Sequence, residues 1–117
     1  MTGSRIPQVP VPRLETERDG SGGEFLQVVI SYDPDEKLFA YLAAVLQEKL
    51  HGHWSQQLTG LDQAYWDLET EDGKIVFHLE HYLGVSIHPH ELSQATDASK
   101  ALVLKAYDIL LQLSAKP

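Results

Sequence analysis

The chain has no cysteine. Disulfides, thiolate zinc sites, iron–sulfur clusters and a cysteine nucleophile are therefore excluded. Small exported domains lean on disulfides, so the absence favours a reducing compartment, and a cytoplasmic location is expected. Arginine is scarce, and none follows Arg18. Bidentate phosphate recognition rests mostly on arginine, so a nucleic-acid partner is not expected. Long apolar runs are missing as well. Ala43-Ala44-Val45-Leu46 is among the longest, far short of the ~20 residues that span a bilayer. Arg5 is followed by Pro7, Pro10 and Pro12 rather than an apolar stretch, so neither a secretory signal nor membrane association is expected.

What remains is ordinary for one small domain: 117 residues, 43% hydrophobic and 22% charged. The charge is lopsided. Residues 1–23 balance three arginines against three acids, and residues 24–117 carry the whole net charge of −8. Such a surface repels polyanions and attracts basic proteins. It also keeps a protein soluble, which alone would account for it.

Residues 1–23 read as a flexible N-terminal tail. It is proline-rich from Pro7 to Pro12 and ends in Asp19-Gly20-Ser21-Gly22-Gly23. Arg13–Glu17 is a possible edge strand that would pair through this glycine turn. Residues 24–117 read as a single α+β domain. Glu24–Ser31 is a short β-branched and apolar run, hence a buried strand. Asp33-Pro34-Asp35-Glu36 places an N-cap, a first-turn proline and a capping acid ahead of a helix from Pro34 to Leu50, with Gly52 as its stop. His53–Gly60 reads as a polar connection, and its Trp54 is either an exposed anchor or, the favoured reading, a lid on the helix end.

Ala64–Thr70 and Lys74–Glu80 alternate around Glu71-Asp72-Gly73, which marks a hairpin. Trp66, Leu68, Ile75, Phe77 and Leu79 then share the inner face. Val85–Ile87 is a short strand closed by Pro89. Asp97–Ser114, capped by Thr96, is an amphipathic helix. The expected order is β-α-β-β-β-α, a two-layer sandwich with a mostly antiparallel four-stranded sheet and both helices on one face.

That fold leaves one sheet face in water, bearing Tyr65, Asp67, Glu69, Val76, His78, Glu80, Ser86 and His88. Two acids beside a His-x-Glu pair suit three uses. As a metal site, His78 and Glu80 would project together from one strand. None of the six histidines, however, has a diagnostic spacing. As an acid–base site the groups would need a pocket that a flat sheet lacks. As a protein-binding surface, the aromatic anchors and the acids complement a basic partner. The third reading leads. Tyr65, Asp67, Glu69, His78 and Glu80 are its partner-binding residues, with His78 titrating near 6.5. It assigns no catalytic residues, no metal and no cofactor.

The stretch Ala64-Tyr65-Trp66-Asp67-Leu68, followed by Asp72-Gly73-Lys74-Ile75-Val76-Phe77-His78-Leu79-Glu80 and Gly84-Val85-Ser86-Ile87, resembles the hairpin region of small bacterial immunity-type proteins. The resemblance implies a small acidic, non-catalytic inhibitor that occludes a partner toxin. A secretion-type chaperone and a small metal-dependent enzyme using His78 and Glu80 are the alternatives. A homodimer through edge strands is a further option.

Overall fold

The computed structural model describes residues 6–115. Two helices accompany a six-stranded sheet in which every neighbouring pair is antiparallel. The strands are β1 (Arg13–Arg18), β2 (Glu24–Ser31), β3 (His53–Thr59), β4 (Gln63–Glu69), β5 (Lys74–Glu80) and β6 (Gly84–Pro89). Helix α1 (Glu36–Leu50) follows β2, and α2 (Asp97–Ser114) ends the described chain. Across the sheet the order is β1-β2-β6-β5-β4-β3.

Six strands replace the four expected. The first addition is β1, the edge strand that the glycine turn suggested, so residues 13–18 of the expected tail belong to the sheet. Val9 and Pro12 are also buried, and residues 1–5 of that segment lie outside the described residues. The second addition is β3, which occupies the expected polar connection. It escaped notice because a sheet-edge strand needs little apolar content, and its burial is almost nil beyond Trp54. Trp54 is half-buried, not free: it meets Trp66 edge-on at 5.6 Å and stacks at 6.3 Å from Phe77.

Period-two alternation sets the inner face. Val28 and Ile30, Ala64 and Leu68, Ile75 and Phe77, and Val85 and Ile87 join one buried cluster with Leu38, Phe39, Leu42 and Leu46 of α1 and Leu102, Val103, Ala106 and Leu110 of α2. Phe39 lies flat on Phe77 with centroids 4.3 Å apart, and meets Trp66 edge-on at 4.9 Å. Trp66 and Leu79 pack at the margin of this cluster, as their phase requires. Among the described residues no helix is long and apolar enough to cross a membrane.

The caps differ from expectation in instructive ways. Asp33 is held in a turn with Ser31, so Asp35 caps α1, its side chain accepting from the Leu38 N–H at 3.0 Å. His51 itself adopts the left-handed conformation at the C-cap. Gly52 serves a different need, since a Cβ there would press on the Glu69 carbonyl and the Leu68 side chain. Gly73 likewise has no positive φ. A Cβ there would meet the backbone of Ser99 at 2.8 Å. Close packing of α2 against the β4–β5 hairpin therefore excludes a side chain at this position. Ser99, buried at the start of α2, accepts from the Lys74 N–H at 2.9 Å and from the Thr96 hydroxyl at 3.1 Å. Thr96 caps the helix by accepting from the Ser99 N–H.

Two substitutions test this framework by urea unfolding. Gly84 has a φ of 91°, and an added methyl would overlap the Ser31 carbonyl oxygen of β2. Gly84→Ala should cost ~2 kcal/mol or more, while Gly20→Ala, with open space around it, should stay within ~0.5 kcal/mol. Ser99→Ala orphans the Lys74 N–H and should cost ~1–3 kcal/mol.

Candidate functional site

Registers place one row of side chains across the second face of the sheet. Tyr65 of β4 opposes His78 of β5, His78 opposes Ser86 of β6, and Ser86 opposes Val29 of β2. Glu15 of β1 opposes Gln27, and Glu17 opposes Phe25. These residues are brought together although the chain between Glu15 and His88 contains a whole helix.

This face is not the flat solvated surface that its polarity suggested. Val29 and Val76 on it are buried. Side-chain exposure is 12% for His78 and 13% for Asp67. A depression of about 580 Å³ lies over its centre, lined by Glu15, Glu17, Phe25, Gln27, Val29, Tyr32, Tyr65, His78, Tyr82, Leu83, Ser86, His88 and Leu92. The β5–β6 turn contributes Tyr82 and Leu83, which are 81% and 64% exposed. Leu92 comes from a short 3-10 turn, Leu92–Gln94, which packs on β2 and β6. That turn is fastened to the β1–β2 turn by the Asp19 carboxylate, which accepts from the Ser93 and Ser21 N–H groups at 3.0 Å each and from the Ser21 hydroxyl at 2.6 Å. The hydrogen bonds from Ser21 and Ser93 hold the Asp19 carboxyl well below the usual carboxylate range.

Aromatic rings make up the floor. Tyr65 and His78 stack with centroids 4.1 Å apart and planes 15° from parallel. His88 meets both His78 and Phe25 edge-on at 6.2 Å. Burial pushes the His78 imidazole down to about 4, with the neighbouring His88 adding to the effect. The expected titration near 6.5 is therefore corrected: at neutral pH the ring is uncharged. Burial lowers His88 as well, against the opposing pull of its Pro89 carbonyl contact and Asp67. The His78 Nε2 is buried and has no hydrogen-bond partner among the described residues. The Glu80 carboxylate lies 3.6 Å away, beyond hydrogen-bond length.

Of the five residues expected to bind a partner, Tyr65 and His78 form the floor and Glu80 stands beside it. Asp67 is drawn toward His90, whose Nε2 is 3.7 Å away. Glu69 lies at the other end of β4, opposite Lys74 and 3.9 Å from His53. The structure therefore does not gather all five. Tyr82, an aromatic anchor available from the sequence, lines the depression, whereas Phe25, Glu15, Glu17, Tyr32 and Leu83 were missed. A charged alternation in Arg13–Glu17 was their only sequence signal, because strand order cannot be read from residue spacing. Among the described residues no three histidine or acidic side chains are grouped to hold a metal ion.

The buried histidines generate a pH dependence of stability. Between 6.5 and about 4 the unfolded chain binds a proton that folded His78 refuses. The contribution of the neutral ring is complete above 6.5 and is lost as pH falls through that window. Urea midpoints should therefore drop on acidification from neutral pH, and His78→Gln should flatten part of the drop. A slope unchanged by the substitution would contradict the assignment.

Comparison with protein families, characterised proteins and solved structures finds no match to this chain.

Proposed function

We propose that the chain is a non-catalytic protein-binding domain whose histidine-bearing sheet face receives a basic segment of a partner. On this reading α1 and α2 form one layer over the opposite face, which leaves the depression open. The observation that carries the proposal is the Tyr65–His78 stack on the floor of a depression lined by Glu15 and Glu17, with the Glu80 carboxylate 3.6 Å from His78. Aromatic faces and carboxylates attract a lysine or arginine side chain, the rings through their quadrupole and the acids through charge. Neutral His78 and His88 add surface without adding repulsion. The molecule carries an internal example on the rim: the Arg13 guanidinium lies over Tyr32 at 5.9 Å and 3.6 Å from Glu15.

An immunity-type inhibitor acts by occluding a basic partner, and a cytoplasmic domain of net charge −8 fits that use. Exposed Tyr82 and Leu83 supply an apolar border of the kind that anchors protein interfaces. A secretion-type chaperone would use the same face for an unfolded client. The metal-dependent enzyme has no ligand set among the described residues.

The test is an NMR titration with an arginine-rich nonapeptide. Shifts should concentrate at Tyr65, His78, His88, Glu17 and Tyr82 and weaken as salt is raised. A Glu17→Lys/Glu80→Lys double variant should stay folded and lose at least ~10-fold in affinity, equivalent to ~1.4 kcal/mol. Shifts scattered over the acidic surface, or an unaffected double variant, would reject this face as the site.

A further inference from the structure

The two edges of the sheet are guarded very differently. β1 carries Arg13, Glu15, Glu17 and Arg18 in six residues, and Pro10 and Pro12 precede it. Charges and prolines are the usual means of keeping an edge strand from pairing with another chain. β3 is the opposite edge. It reads His-Trp-Ser-Gln-Gln-Leu-Thr, with no lysine, arginine, aspartate, glutamate or proline, and all of it except Trp54 is exposed. A bulge between Trp54 and Gln56 interrupts its first half. From Gln56 to Thr59 the strand runs in unbroken register with β4. Its outward N–H and C=O groups are therefore arrayed for another strand, since an edge has no neighbour on that side.

We propose that this edge joins two copies of the chain, pairing β3 antiparallel with β3 of a second molecule to give one continuous twelve-stranded sheet. The strand is complementary to itself when the pairing is centred on Leu58. Leu58, 56% exposed in the single chain, then meets its own copy. Gln57 lies opposite Thr59 of the second copy, and these polar groups can hydrogen-bond across the pair. No charged side chain of either β3 faces another in this register. Leu61, fully exposed in the β3–β4 turn, is brought toward Ser55 of the other molecule. A second copy is favoured over an unrelated strand because, among the described residues, this edge of an acidic protein carries no Lys, Arg, Asp or Glu and its pairing with itself sets leucine against leucine and polar residues against polar residues. Both copies carry net charge −8, so they repel at long range and the pairing depends on concentration.

That repulsion gives a signature opposite to that of basic-segment binding: salt should strengthen the dimer. The proposal does not rest on the function of the histidine face, and either can fail alone. In sedimentation analysis up to millimolar concentration, the mass should rise toward twice the 13.1 kDa of the chain. Leu58→Lys should raise the dissociation constant at least tenfold, with the circular dichroism and thermal unfolding of the exposed-site variant unchanged. Because the chain has no cysteine, Leu58→Cys should give a disulfide-linked dimer on mild oxidation, and Leu14→Cys on the opposite edge should not. A wild type that stays monomeric, or equal cross-linking at the two positions, would overturn the proposal.

Discussion

The pairing of β2 with β6 is the contact on which the rest of the molecule depends. It joins an N-terminal hairpin to the last strand of a four-stranded meander, and β6 begins more than fifty residues after β2 ends. Val28 opposite Ile87 continues the core across this seam, while Val29 opposite Ser86 continues the other face. Without the seam, Phe25, Glu15 and Glu17 would not meet His78 and His88. The seam is closed tightly at one end. Gly84 begins β6 with its Cα against the end of β2, in a conformation and a space that no side chain tolerates. Such a non-local pairing forms slowly relative to hairpins, because its loop-closure entropy must be met first.

The second constraint is electrostatic. Two imidazoles sit at the centre of a sheet face, one with a buried nitrogen that has no hydrogen-bond partner among the described residues, and burial disfavours the charged form of both. Apolar residues would be more stable there, since an unsatisfied buried polar atom costs free energy. Stability given up at one place in an otherwise well-packed domain is characteristic of binding sites. The rim has the complementary character: acids, exposed tyrosines and an exposed leucine, while the Asp19 link joins the β1–β2 turn to the Leu92–Gln94 turn.

The helices and the central strands were legible because their periodicity is strong. Asp97–Ser114 with its Thr96 cap was read from sequence residue for residue, and the inner phase of Leu68, Ile75 and Phe77 followed from alternation. The strands at the edges were harder. β3 has one half-buried residue in seven, so no apolar alternation announces it. Gly52 and Gly73 are also required by the close approach of neighbouring groups, which only the folded neighbours reveal. Of the site, Tyr65, His78 and Glu80 could be placed on one face from strand phase alone. Their partners on β1 and β2 could not, because alternation fixes a face but not which strand lies next to it.

On the proposed function, His78 occupies the centre of this face for binding and at a cost in stability. Thermal unfolding of His78→Phe at neutral pH, read together with its response to the arginine-rich peptide, tests this most directly. A phenyl ring keeps the stack on Tyr65 and removes the unpartnered nitrogen. A midpoint raised by a few degrees and an altered peptide affinity are expected. A midpoint that falls, with peptide binding unchanged, would show that His78 is a structural residue and that the binding site lies elsewhere.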